Sequence, residues 1–322
     1  LMNLGGETSA SLGEPEPAAL QLVDRWILSR LARVNQGTAE RYTGYGLGEA
    51  AKGLYEFAWN EVCDWYLELI KRRLQIPAEL EGAEREAALA GQRTARQVLA
   101  KVLSELLVML HPLMPHLSEE LWHGLTGAGE DTFLALQRWP SLDQAALDDA
   151  LEASFAELIE AIRMVRNLRA VAGLKPSQGA PVRFLTGRPE LAALLREATA
   201  DISALTRAER VEVLASPAAD ASAVVAAGPG GGRRPERALA GVSGELQVLL
   251  PIEGLVDLDA LRGRLEKDLA KADKEIQGLA SRLANPNFAG KAPPEVVAEC
   301  RANLAEAEAQ AELARRRLKD LG

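Results

Sequence analysis

The run LYEFAWNEVCDWYLELIKRR, Leu54 to Arg73, sets five aromatic rings (Tyr55, Phe57, Trp59, Trp65 and Tyr66) just ahead of three consecutive cations, Lys71, Arg72 and Arg73. On a helix these rings cannot all share one face, so some must reach solvent or a neighbouring surface. Exposed rings stack unpaired nucleotide bases while nearby cations hold phosphates. Rings turned inward would instead pack a helical core. Asn60 and Asp64, four residues apart, carry groups that can read base edges, and equally groups that cap or bridge neighbouring helices. The candidate contacts of this run are Phe57, Asn60, Asp64, Trp65, Lys71 and Arg72.

A second cationic set, Arg163, Arg166 and Arg169 followed by Lys175, has the three-residue spacing that a helix gathers on one side. Alone it reads as a solvated face; beside an aromatic cluster it reads as a phosphate track. The three histidines, His111, His116 and His123, straddle the prolines of HPLMPH and have no cysteine nearby, so no metal site is expected. Cys63 and Cys300 lie too far apart for a metal-ligand or disulfide framework, which fits a reducing, cytoplasmic setting, and Cys63 is expected to be buried. GPGGG follows alanines and not a strand, so it reads as a loop and not a phosphate cradle. No nucleophile context stands out, and no catalytic residue is expected.

The elements that must position these groups are mostly helical. Aromatic residues make up only 4% of the chain and alanine is abundant, which favours helix packed on helix over a β-sandwich. A net charge of -9 excludes phosphate binding over the whole surface but not over a local patch. No basic start precedes an apolar run, and no apolar stretch is long enough for a membrane helix. The apolar spacing predicts a first helix ending near Gly37 and a second over about 47–74. A third follows over 85–110, a short one over 118–125 and a fifth over about 144–172, together an up-and-down bundle. Strands are expected over 180–186 and 209–215 with a helix between them, then a hairpin turning at Ser243-Gly244.

From Leu258 the pattern becomes a three-four repeat: Leu258, Leu261, Leu265, Ala272, Ile276, Leu279 and Leu283, with an irregular step near Leu265 to Leu269. After the break NPNFAGKAPP it resumes through Val297, Cys300, Leu304, Ala307, Ala311, Ala314, Leu318 and Leu321. Two such arms predict an antiparallel coiled-coil hairpin. Its alanine core positions suit an intramolecular hairpin, and hence a monomer, better than a stable homodimer. The expected division is a helical bundle over 1–175, a small α/β module over 176–256 and the hairpin arm over 257–322.

DRWILSRL (24–31), the aromatic run and LLVMLHPLMPHLSEELW (106–122) resemble the anticodon-binding helical domain of the class I synthetases for valine, isoleucine and leucine, and IRMVRNLRA (162–170) continues the likeness. ELQVLLPIEGLVDLDALRGRLEKDL and LANPNFAGKAPPEVVAE are similar to the coiled-coil region of the valyl-tRNA synthetases. The resemblance implies a valine-accepting tRNA as partner, its anticodon loop on the bundle and its outer corner on the arm. Arg264, Lys267, Lys271, Lys274 and Lys291 are then the expected phosphate contacts of the arm. It also implies a catalytic domain of the same polypeptide, N-terminal to this segment, with ATP and Mg as that domain's requirements; this segment alone is expected to need no cofactor and to be inactive. A coiled-coil adaptor that binds another protein is the alternative reading.

Overall fold

A computed structural model describes residues 2–215, 237–289 and 292–321. The expected loop AAGPGGGRRP and Lys291 lie outside the described residues. The chain is mostly helical with one small mixed sheet, and it forms two compact units, Leu1–Ala156 and Glu157–Gly322.

In the first unit a short helix α1 (Ser9–Leu12) precedes α2 (Leu22–Thr43). Next come α3 (Leu47–Glu56), a π-helical segment (Phe57–Tyr66) and α4 (Leu67–Leu74), which form one continuous rod, then α5 (Gly82–Leu110) and α6 (Pro115–Thr126). Helix α2 is the central stave. It buries Trp26, Ile27 and Leu31, and the Trp26 indole stacks on Phe155 with centroids 4.2 Å apart. Three polar ties fix its rotation. Buried Asp24 accepts both of its oxygens' bonds from Arg73 Nη1 (2.8 and 2.9 Å) and a third from the Tyr66 hydroxyl (3.3 Å). The Arg30 guanidinium donates to both carboxylate oxygens of Glu61 (2.7 and 2.8 Å) and to Glu152 (2.8 Å). Asn35 accepts from Trp139 Nε1 (2.6 Å) and donates to Pro140 O (3.0 Å).

Three helix boundaries differ from the sequence expectation, one of them the start of the fifth helix, at Asp149 where about 144 was expected. Helix α2 does not stop at Gly37 but runs a further turn and a half to Thr43. A glycine inside a helix costs about 1 kcal/mol, and buried Thr38 together with Tyr42, whose hydroxyl donates to Met109 O at 2.9 Å, outweighs it. Helix α6 begins at Pro115 and not at Ser118, because proline's fixed φ suits the first helical position. Ser118 is buried instead, its hydroxyl donating to Met114 O at 2.8 Å.

Helix α7 (Asp149–Ala172) starts in the first unit and continues into the second. There β1 (Ala180–Thr186) leads through α8 (Pro189–Glu197) and α9 (Thr199–Thr206) to β2 (Ala208–Ala215), followed by β3 (Ala238–Ser243) and β4 (Leu246–Pro251). The single helix expected over 189–205 is broken at Ala198. The sheet order is β2-β1-β4-β3, with β1 and β2 parallel and the other pairs antiparallel. Strand β4 is buried along its whole length, as a strand covered on both faces must be. The expected hairpin turn is present, with Gly244 at φ +55°. Helix α7 packs on β3 at Gly241, where a Cβ would sit at ordinary contact distance from Met164 Sδ (3.6 Å) and Leu168 Cδ1 (3.7 Å).

The chain then enters α10 (Leu258–Ala284), capped by the Asp257 carboxylate, which accepts from the backbone N–H groups of Asp259 and Ala260. A single-turn helix α11 (Pro286–Ala289) reverses it into α12 (Pro294–Leu321). At about 1.5 Å per residue α10 is roughly 40 Å long. The pairing of Arg315 with Asp273 at 2.7 Å marks the antiparallel register. The seam buries Leu261, Leu265, Ala272, Val297, Cys300, Ala307, Ala311, Ala314 and Leu321, and leaves Ile276, Leu279, Leu283, Leu304 and Leu318 half-buried, matching the repeat read from sequence.

Candidate nucleic-acid interface

The aromatic run occupies the π-helical segment of the α3–α4 rod. Within it the backbone bonds span five residues, as where the Leu67 N–H reaches Val62 O, so the side chains are redistributed around the axis relative to an α-helix. Phe57, Val62, Trp65 and Tyr66 turn inward, and Asn60, Cys63 and Asp64 face outward. Phe57 is 1% exposed and Trp65 5%, so neither ring offers a face to a base and both candidates are corrected to core residues. The outward rings are Tyr55 (63% exposed) and Trp59 (56%), which lie parallel within 5° with centroids 6.3 Å apart. Cys63 is exposed, against expectation, while Cys300 is buried. Sequence reasoning counted Tyr55 and Trp59 in the cluster without selecting them. The available signal was their four-residue spacing among polar neighbours, Lys52, Glu56 and Asn60.

Lys71 and Arg72, at the end of the rod, are exposed, and Lys71 makes a surface pair with Glu68 at 3.2 Å. Arg73 is spent on Asp24 and on Gly91 O (3.1 Å). Burial, and then the Asp24 charge, push the Tyr66 hydroxyl well above its usual range, so it stays a proton donor to Asp24. These ties hold the rod against α2 and leave its outer side, with Tyr55, Trp59, Asn60 and Asp64, as a fixed surface.

The cationic stripe of α7 does not survive as one track. Arg163 and Arg166 are exposed, and Arg166 Nε donates to Leu205 O at 3.1 Å. Arg169 is buried, and its Nη2 donates to Gln178 O at 2.5 Å. Burial, with the Arg207 charge adding to it, lowers its pKa from the ordinary value. Arg169 is therefore corrected to a clamp on the turn after α7. All three arginines belong to the second unit, and the aromatic run to the first.

On the hairpin, Arg264, Lys267, Lys271 and Lys274 are exposed on α10. Arg264 lies over Gly173, where a Cβ would come within 2.7 Å of its Nη1. Reading α10 alone missed the run Arg315-Arg316-Arg317 and Lys319, which the antiparallel fold brings back toward the Arg264–Lys271 end. Where the repeat is irregular the seam opens into a cleft of about 250 Å³ lined by residues that include Leu265, Lys271, Ala272, Leu313 and Arg317. Burial lowers the Arg317 pKa, and its Nε is buried without a hydrogen-bond partner.

Residues 24–184 match the family described as the anticodon-binding domain of tRNA ligase, and residues 257–322 match the valyl tRNA synthetase tRNA binding arm. The whole chain aligns at 73% identity over 321 residues with the valine–tRNA ligase of Parasynechococcus marenigrum (strain WH8102), covering 34% of that protein. It aligns at 74% over 322 residues with that of Prochlorococcus marinus (strain MIT 9313), covering 33% of it. With that of Thermosynechococcus vestitus (strain NIES-2133 / IAM M-273 / BP-1) the identity is 45% over 323 residues, again with all of this chain and 32% of the relative. The chain thus spans about a third of the length of these relatives. With its helical rods, its exposed aromatic pair and a match that runs through half its length, the chain belongs to the anticodon-binding domain family of tRNA ligases.

Proposed function

We propose that the chain is the tRNA-gripping region of a longer valine–tRNA ligase. Residues 1–175 receive the anticodon loop, residues 176–256 carry the arm, and residues 257–322 hold a second part of the same tRNA, its outer corner. The observation that supports this reading is the pairing in one chain of two matches, each naming tRNA or its anticodon, on different structural elements. Unpaired loop bases are the readable part of RNA, because the A-form major groove is closed to side chains. Tyr55 and Trp59 supply stacking faces, Asn60 and Asp64 base-edge groups, and Lys71 and Arg72 phosphate contacts. On the arm, Arg264, Lys267, Lys271, Lys274 and Lys291 hold backbone phosphates. Binding energy gathered so far from the reacting atoms orients the acceptor end toward a catalytic domain that uses ATP and Mg. In this reading the segment itself is cytoplasmic, monomeric, cofactor-free and inactive.

Titration of the purified chain with valine tRNA tests it. Saturable binding that weakens steeply between about 50 and about 200 mM salt is expected. Failure to bind at the lower salt contradicts the proposal and favours a protein-binding adaptor. Valine-dependent pyrophosphate exchange is expected to be absent.

A further inference from the structure

The turn between α2 and α3 reads Gly44-Tyr45-Gly46, and Tyr45 sits at φ +60°, a left-handed conformation that bulky residues avoid. The turn is hydrogen-bonded in place, with the Tyr45 N–H donating to Tyr42 O at 3.2 Å and the Gly46 N–H to Arg41 O at 2.8 Å. A glycine would adopt this backbone without strain. The tyrosine ring returns little to the fold, since the residue is 90% exposed.

The ring also has company. Tyr42 packs edge-on against Trp139 with centroids 5.8 Å apart, and its bond to Met109 O brings the end of α5 to the same end of the bundle. Leu47, one residue past the turn, and Met114, just beyond α5, are exposed there as well. The charges around the turn, Glu40, Arg41 and Glu49, give no excess of cations. That end of the bundle is therefore suited to a flat, uncharged partner more than to a phosphate. Tyr45 stands in the turn just ahead of the rod, along which Tyr55 and Trp59 lie roughly 12 and 18 Å from its first residue, Leu47, at the helical rise, a reach of several stacked or splayed nucleotides.

We propose that Tyr45 is a stacking platform for an unpaired base of the RNA loop received by the helical unit, held outward by a turn that favours glycine. This rests on the tRNA-binding reading above and names a residue for it. Aromatic stacking is salt-tolerant, whereas phosphate contacts are not.

The test uses the whole chain, a synthetic valine anticodon stem–loop and intact valine tRNA. Tyr45→Ala is expected to weaken binding of both RNAs by roughly 5- to 100-fold, by the same factor at about 50 and about 200 mM salt, with Tyr45→Phe restoring it. Tyr45→Gly is expected to raise the Tm while weakening RNA binding, opposite signs that a structural role would not give. If Tyr45→Ala binds like the parent chain while Trp59→Ala does not, the platform is misplaced and the tRNA reading stands. A loss of binding that follows a loss of Tm and is not rescued by Phe also overturns the platform. If the parent chain binds neither RNA, both readings fall.

Discussion

The helical unit and the C-terminal hairpin are both made of long helices, yet they are held together by different physics. In the bundle, α2 is pinned by buried and partly buried charges and amides: Asp24 to Arg73 and Tyr66, Arg30 to Glu61 and Glu152, Asn35 to Trp139. In the hairpin a single seam of leucines and alanines carries the pairing, and the Arg315–Asp273 ion pair is half exposed. Buried polar ties specify one arrangement, whereas an alanine seam permits close approach with little apolar area per residue. The bundle thus holds its helices by polar ties as well as packing, and the hairpin chiefly by its apolar seam.

The largest effect should come from breaking a bundle tie. Asp24→Ala leaves the Arg73 guanidinium partly buried without its carboxylate, and about 3–5 kcal/mol of stability is expected to be lost in urea unfolding. A loss below about 1 kcal/mol would mean that the tie is not what fixes α2. Next, Leu265→Ala should cost the hairpin about 2–4 kcal/mol by enlarging a seam already open beside it. Hydrogen exchange should speed up in α10 and α12 and stay unchanged in α2 and α5; equal acceleration in all four would erase the contrast between the units.

Glu152 sharpens the comparison through pH. Partial burial alone would raise its pKa, but hydrogen bonds from Arg33, Ser29 and Arg30 outweigh burial and hold it below the usual carboxylate range. A depressed folded-state pKa adds stability above the unfolded value, and that stability is lost as the pH falls through the folded one. Glu152→Gln should therefore lower the Tm at neutral pH and flatten its decline below about pH 4.3. An unchanged acid limb would show that other carboxylates dominate. The smallest effect is expected on the hairpin surface, where Arg315→Ala should change stability by about 0–1 kcal/mol.

Much of this architecture is legible from residue spacing. The three-four pattern locates the helices, period-two runs locate the strands, and the heptad seam is nearly residue for residue the observed one. What could not be read depends on tertiary partners. Gly37 looks like a helix end until Tyr42 finds Met109 O, and Arg169 looks like a solvated cation until the turn at Gln178 folds onto it. The candidate surface was half legible. The spacing of five rings on one helix showed that some of the aromatic run must face out, but not which. Within the rod Phe57 and Trp65 are core, whereas Trp59, and Tyr55 just ahead of the π-helical segment, face out. Tyr45 carries no periodic signal, only its flanking glycines.

The central claim is that the two units take hold of two separate parts of one tRNA. Hydroxyl-radical footprinting of valine tRNA by the intact chain tests it most directly. The account predicts two protected regions, the anticodon loop and a second one distant from it, with Lys267→Glu/Lys271→Glu erasing only the second. Protection confined to a single region, or loss of both together on that charge reversal, would contradict it.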